Sequence, residues 1–156
     1  MFQSFVAEVF DGDTDSWQKI KSNIIILERD AFESAPFTEE ELERDFLDRE
    51  NVIVLLRKKE SQEVIGFTYA KPCEPETADG PAKPGETAWM WDTVIKKEYQ
   101  GMKLVGIMME SLEDELRTRG FKYLERNTRE ANGFAQNGAK HYKDRIIKSS
   151  PLDSKW

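Results

Sequence analysis

The sequence is poor in the residues that most metal and nucleophilic sites need, since its 156 residues include one cysteine and one histidine. A disulfide framework needs paired cysteines, and the usual zinc sites combine several Cys or His ligands. A Ser-His-Asp or Cys-His enzyme would have His141 as its only base, and no nucleophile-elbow pattern accompanies it. We therefore expect no disulfide, no metal site, and a loop position for Cys73.

Long apolar runs are also missing. No stretch approaches the roughly 20 apolar residues of a membrane-spanning helix, and the first residues lack the basic flank and apolar run of a signal peptide, so we expect none. Together with the single cysteine, this predicts a cytoplasmic protein without a membrane partner. A hydrophobic content of 38% and an aromatic content of 11% suit one globular domain over residues 1–156.

Charge is distributed unevenly along the chain. The formal net charge is −7, and the segment from Glu28 to Glu50 carries all of it, with ten acidic residues against three arginines. Such a segment repels nucleic acid and anionic membranes and attracts cations. A solvated helical face is the simpler interpretation of a charge run, and both interpretations stay open at this point.

Periodicity and turn residues predict an α+β fold in the order β-α-α-β-β-β-α-β-α-β. Thr38 with Glu41 three residues later is a capping box, and Gly120 is a typical helix end. Two Asn-Gly pairs leave a turn as the alternative at the start of the last helix. We expect strands over 5–10, 52–57, 63–70, 87–95, 121–127 and 146–149, and helices over 15–32, 38–49, from the turn at 99–101 to 120, and 132–145.

The third helix is expected to bury one stripe formed by Val105, Met108, Met109, Leu112 and Leu116. On its outer face, two acidic residues are spaced to pair with arginines four residues later, Glu113 with Arg117 and Glu115 with Arg119. A stripe of this kind indicates core packing rather than a cofactor site.

The most informative segment is the junction between the fourth strand and this helix. A helix that opens just after a strand presents backbone N–H groups and the positive end of its dipole, which suits a phosphate. The segment Gln100-Gly101-Met102-Lys103-Leu104-Val105 resembles the Arg/Gln-x-x-Gly-x-Gly/Ala signature of the GNAT superfamily of N-acetyltransferases. The sequence departs from that signature at Lys103 and Val105, where the family has glycine or alanine. The resemblance is strongest over 87–125.

This resemblance implies a three-layer GNAT-like fold with a mixed central sheet of about six strands. It also implies acetyl-CoA as co-substrate, with the pyrophosphate on backbone N–H groups at the helix start, and it makes a homodimer an expectation. The cofactor-binding residues that it implies are Thr93, Val94, Ile95, Gln100, Gly101, Met102, Lys103, Leu104, Val105, Gly106 and Asn132.

For the chemistry, the resemblance implies a carboxylate base on the fourth strand and a tyrosine acid on the last helix. Asp92 is the only carboxylate within 88–95, and a structural hydrogen bond is its alternative role. The family's Asn-x-x-Ala-x-x-x-Tyr spacing, counted from Asn132, reaches Ala139, so Tyr142, three residues later on a similar helix face, is the candidate acid.

The sequence thus predicts an N-acetyltransferase that acts on a primary amine of a small cationic acceptor by direct attack. The acceptor side of the family's fold is formed largely by the first two helices, where this chain concentrates its acidic residues. Two alternatives remain: a non-catalytic GNAT-like module that binds coenzyme A or a protein partner, and an enzyme that uses a different acyl donor.

Overall fold

The computed structural model describes residues 4–72, 86–126 and 148–151 of the chain. These residues form an α+β fold around a six-stranded sheet in which the strands lie in chain order. The helix expected over 132–145 lies outside the described residues, together with Cys73, Asn132, His141 and Tyr142. The strands are β1 (Phe5–Val9), β2 (Val52–Lys58), β3 (Val64–Pro72), β4 (Thr87–Ile95), β5 (Tyr123–Arg126) and β6 (Lys148–Pro151), and the helices are α1 (Thr14–Ala31), α2 (Glu39–Leu47) and α3 (Leu104–Thr118).

The sheet is mixed, as the resemblance implied. Four of its five neighbouring pairs are antiparallel, and β4 with β5 is the parallel one. A parallel pair needs a crossover, and α3 supplies it between β4 and β5. β1, β2 and β4 lie within one residue of their predicted bounds, whereas β3 extends to Pro72 rather than to residue 70, and β5 and β6 also differ from prediction. β5 begins at Tyr123 because the N–H of Phe121 donates to the carbonyl of Leu116 at the helix end, and β6 lies two residues later than expected.

Side chains alternate between the two faces of the sheet and form two cores, as expected for strands covered on both sides. The α3 core contains Val52, Val54, Leu56, Ile65, Ala70, Ala88, Ile95, Tyr99, Leu104, Met108, Met109, Leu112, Leu116 and Leu124. The α1/α2 core contains Phe10, Trp17, Ile20, Ile24, Leu27, Phe32, Leu42, Phe46, Ile53, Leu55, Val64, Phe67, Tyr69 and Val94.

The predicted stripe on α3 was wrong at one end. Val105 is 46% exposed, and Leu104 is buried in its place. The reason is that the helix begins at Leu104, so that the buried positions repeat every four residues to Leu116. Glu113 is also buried rather than on the outer face. It still forms the expected ion pair with Arg117, at 4.0 Å.

The start of α2 follows the sequence prediction closely. The hydroxyl of Thr38 accepts from the N–H of Glu41 at 3.2 Å, and the Glu41 carboxylate accepts from the N–H of Thr38 at 3.1 Å. Both hydrogen bonds of a capping box are therefore present. This box fixes where the acidic helix begins relative to the sheet.

Candidate functional site

Strand β4 is the centre of the candidate site because its two halves have different neighbours. The described residues of β5 pair with Thr87–Met90 only, while β4 itself continues to Ile95. On the other side, Tyr69 pairs with Asp92 and Ala70 with Met90, which leaves Trp91 as an extra residue in a β-bulge. A bulge changes the direction of the side chains beside it, and such bulges are frequent next to active sites.

Asp92 follows this bulge and is 3% exposed. Its Oδ1 accepts from the N–H of Thr93 at 3.1 Å, and its carbonyl oxygen accepts from the hydroxyl of Thr68 at 3.1 Å. The hydroxyl of Thr93 lies 2.8 Å from that of Thr68. The candidate base is thus a buried carboxylate held by the neighbouring backbone, in the half of β4 beyond the described pairing with β5.

Tyr69, which lies opposite Asp92 in the sheet, is fully buried. Its hydroxyl donates to Oδ2 of Asp45 at 2.9 Å. Burial, followed by the negative charges of Asp45 and Asp92, raises the pKa of Tyr69 well above its ordinary value. At neutral pH the phenol is therefore a neutral hydrogen-bond donor that fixes the orientation of Asp45.

The second oxygen of Asp45 contacts a cation. Nζ of Lys71 lies 2.8 Å from Oδ1 of Asp45 and 4.1 Å from the centroid of the Trp91 ring. The ring of Phe37 stacks on Trp91 with its centroid at 6.4 Å. A carboxylate and an aromatic face thus surround one primary ammonium group, a combination that favours cations of this type.

The acidic segment is only partly a solvated face. Glu28 is fully buried and accepts from the N–H of Phe37 at 2.9 Å, and Glu43 accepts from the indole N–H of Trp17 at 2.9 Å. Asp45 is buried as well. Glu39 and Glu40 are exposed in the first turn of α2, and the other exposed acids of the segment lie outside this helix. Part of the charge therefore builds the connection between α1 and α2, and part faces solvent.

Two of the surface carboxylates have lowered pKa values. A hydrogen bond from Lys21, at 2.8 Å, lowers the pKa of Glu39. The backbone N–H of Thr38 lowers the pKa of Glu41. Both side chains are therefore ionised at neutral pH and contribute to a negative potential at this end of the molecule.

The turn before α3 leaves the start of the helix without a side-chain cap. Gly101 has φ +84° and Lys103 has φ +61°, and no side chain caps the helix that follows. The first backbone N–H groups of a helix have no partner within it, so these point out of the turn. The side-chain amide of Gln100 donates to the carbonyl of Ile95 at 3.0 Å and ties the turn to β4.

The surroundings of this turn are open. A Cβ added at Gly101 or Gly106 would meet nothing within 4 Å, and Met102 and Val105 are about half exposed. Lys103 has a left-handed backbone conformation, which glycine adopts readily. For a residue with a side chain, this conformation costs roughly 1–2 kcal/mol. Neither departure from the signature closes access to the helix start.

Three of the other predicted cofactor residues have side chains buried in the two cores. Val94 lies in the α1/α2 core, and Ile95 and Leu104 lie in the α3 core. From these three residues, a bound ligand could meet backbone groups rather than side chains.

Sequence reasoning missed several residues around β4. Glu125 on β5 is 1% exposed and accepts from the indole N–H of Trp89, the residue opposite it in the sheet. Asp45 is 4% exposed, and its position between Leu42 and Phe46 on the buried face of α2 was the available signal.

The described residues contain no group of three His, Cys, Asp or Glu that could hold a metal ion. Within the same ranges, no helix is long and apolar enough to cross a membrane.

A family model described as the acetyltransferase (GNAT) family matches residues 17–140, which include β4, the turn and α3. The chain therefore belongs to the GNAT acetyltransferase family, and this membership supports acetyl transfer as its general activity. A search of curated protein sequences gives no match.

Solved structures share the fold at low sequence identity. An aminoglycoside 6'-N-acetyltransferase complexed with coenzyme A is 13% identical with a TM-score of 0.68, over 97% of this chain and 99% of that one. The ribosomal-protein-S18-alanine N-acetyltransferase from Escherichia coli is 15% identical with a TM-score of 0.64, over 97% of each chain. The PaiA N-acetyltransferase from Thermoplasma acidophilum, in complex with coenzyme A, is 10% identical with a TM-score of 0.64, over 95% and 99%.

Proposed function

We propose that this protein is an acetyl-CoA-dependent N-acetyltransferase that acts on the primary amine of a small cationic acceptor. One observation carries the proposal: a single strand–turn–helix segment joins the buried carboxylate of Asp92 to the uncapped N-terminus of α3. The first is a group that can accept a proton, and the second is a group that can bind a phosphate.

Acetyl-CoA is proposed to lie along the second half of β4 and across the start of α3. Backbone N–H groups in the turn from Gln100 to Gly106 would bind the pyrophosphate, with the helix dipole adding to the attraction. The ammonium of Lys103 can pair with a phosphate and offset part of what is lost with the glycine. Thr93, Val94 and Ile95 contribute backbone groups beside the thioester, and Asn132 stays a proposed contact.

The reaction needs three groups from the protein. Asp92 removes a proton from the acceptor ammonium, directly or through a water, so that the neutral amine can attack the thioester carbonyl. A backbone N–H of β4 stabilises the negative charge that develops on the carbonyl oxygen. The C–N bond then forms and the C–S bond breaks. The thiolate takes a proton from Tyr142, and the second proton of the attacking nitrogen is returned to the Tyr142 phenolate through solvent. The part of Tyr142 stays a proposal from the sequence.

The charge at the α1/α2 end supports a cationic acceptor. Exposed carboxylates in the first turn of α2 raise the local concentration of cations, and salt reduces this effect. In the same region, an ammonium group already lies against Asp45 and Trp91.

The test is thiol release from acetyl-CoA with 1,4-diaminobutane as acceptor, at low and high salt. Three α2 carboxylates are replaced together: Glu39→Gln, Glu40→Gln and Glu43→Gln. We expect KM for the diamine to rise by about five- to tenfold at low salt, by less than about twofold at 0.5 M salt, and kcat to stay unchanged.

A matched control removes three exposed acids from other surfaces: Glu60→Gln, Glu110→Gln and Asp114→Asn. Its KM should equal that of the wild type at both salt concentrations. An equal KM for the α2 variant and the control at low salt would contradict the proposed attraction of a cationic acceptor.

A second function has support from the turn itself. Lys103 in the left-handed region and the exposed Val105 depart from the family signature. Together with the displacement of the candidate tyrosine to Tyr142, they favour a non-catalytic GNAT module that binds coenzyme A without turnover or acts through a protein partner. Binding of acetyl-CoA without thiol release in a screen of amines would favour this second function.

A further inference from the structure

We propose that Asp45 and the ring of Trp91 form the binding site for the acceptor's ammonium group, and that Lys71 occupies this site in the free protein. This inference rests on the proposed function and deepens it, because it specifies a primary alkylammonium as the group recognised. It also assigns Lys71 the part of an internal competitor.

The contacts define the chemistry of the site. One carboxylate oxygen of Asp45 is held by the hydroxyl of Tyr69 at 2.9 Å, and the other is in hydrogen-bond contact with the ammonium of Lys71 at 2.8 Å, while Nε of the mostly exposed Arg44 lies farther away at 3.8 Å. The Trp91 ring covers the same ammonium at 4.1 Å. The end of a lysine side chain is chemically a primary alkylammonium, so the protein's own residue shows which ligand class these groups bind.

The position of the site favours an acceptor subsite over a purely structural ion pair. Tyr69, which holds Asp45, lies opposite Asp92, and Trp91 directly precedes Asp92 in the bulge of β4. An ammonium bound to Asp45 is therefore connected to the proposed base through Tyr69, which contacts Asp45 and pairs with Asp92 in the sheet. The Lys71 side chain keeps 22% of its surface exposed, so the ammonium lies at the boundary with solvent.

The occupied site has a consequence for affinity. An external amine can bind only in the fraction of molecules from which Lys71 has moved away, so its apparent Kd is raised by the inverse of that fraction. If Lys71 occupies the site at least nine-tenths of the time, its removal lowers the Kd by about tenfold or more.

The experiment is calorimetric titration of 1,4-diaminobutane into the protein without acetyl-CoA, at about pH 8. Lys71→Met keeps most of the aliphatic chain and removes the ammonium, and we expect its Kd to be at least about tenfold lower than that of the wild type. Adding Asp45→Asn to this variant removes the carboxylate and should raise the Kd again by at least as much.

Lys58→Met is the matched control, because Lys58 also lies over an aromatic ring, that of Tyr99 at 5.1 Å, and near a carboxylate, that of Glu63 at 3.6 Å. Its Kd for the diamine should equal that of the wild type. If Lys71→Met does not fold, Lys71→Leu, which likewise cannot donate to Asp45, replaces it with the same expectation.

Equal Kd values for the wild type and the folded Lys71 variant would overturn the proposal. Tighter binding that persists after Asp45→Asn would overturn it too. Because acetyl-CoA is absent from this titration, a failure of acetyl transfer does not affect its result, and the two proposals can fail separately.

Discussion

Asp92→Asn is expected to lower kcat for acetyl transfer by about 10²- to 10⁴-fold, the usual contribution of a positioned general base. Asparagine has nearly the same shape, and its side-chain oxygen can still accept from the N–H of Thr93. The substitution therefore removes the ability to take a proton and keeps the packing. Acetyl-CoA binding should stay within about threefold of the wild type, because the proposed phosphate contacts lie in the turn before α3.

A structural role for Asp92 gives a different result. In that case Asp92→Asn would change the free energy of unfolding and leave kcat nearly unchanged. The pH–rate profile separates the two roles, because the fall in rate toward acid pH should disappear only if Asp92 is the base. Glu125→Gln is the control, since Glu125 is a similarly buried carboxylate on the neighbouring strand. A large loss of kcat in the control and none in Asp92→Asn would contradict the assignment.

Phe46→Ala is expected to lower the free energy of unfolding by about 3–5 kcal/mol, as for other fully buried aromatic residues. The Phe46 ring is completely buried, and four other rings surround it, with centroid distances of 5.0 Å to Trp17, 5.5 Å to Tyr69, 5.6 Å to Phe67 and 5.7 Å to Phe10. Alanine would leave a cavity at the point where α2 meets the sheet. The rings cannot close this space without leaving their rotamers.

Urea unfolding followed by circular dichroism measures this loss. Leu47→Ala is the control, because Leu47 is the next residue of α2 and its side chain is half-buried. This substitution should lower the free energy of unfolding by less than half as much. Because α3 packs on the opposite face of the sheet, folded Phe46→Ala should bind acetyl-CoA like the wild type. A loss below about 1.5 kcal/mol for Phe46→Ala would contradict the view that this cluster holds α2 in place.

Features that depend on local chemistry were predictable from the sequence. The capping box at Thr38 and the positive φ of Gly120 follow from hydrogen bonds or backbone freedom within a few residues. The family signature likewise located the turn before α3. The prediction for Val105 was wrong because helical periodicity gives the spacing of buried positions, whereas the start of the helix decides which residues take them.

The site around Asp45 could not be predicted in the same way. Its members come from α2, β3 and β4, and a register with a bulge at Trp91 brings them together. Neither the register nor the bulge has a signal in the sequence near Lys71. In the sequence, Asp45 is also one of ten acidic residues in the segment from Glu28 to Glu50, and nothing in its charge distinguishes it from the others. Asp92 was named as a candidate because its strand is part of the family resemblance, while the buried Glu125, on a less distinctive strand, was not named.

The most direct test of the account is calorimetric titration of the purified protein with acetyl-CoA, coenzyme A and dephospho-coenzyme A. Membership of the GNAT family and the uncapped start of α3 lead us to expect micromolar binding of acetyl-CoA, despite Lys103 and Val105. All three ligands carry the pyrophosphate, so dephospho-coenzyme A should also bind, with a loss limited to the contacts of the missing phosphate. No detectable binding of acetyl-CoA at millimolar concentration would contradict the proposed enzyme and the proposed phosphate site together.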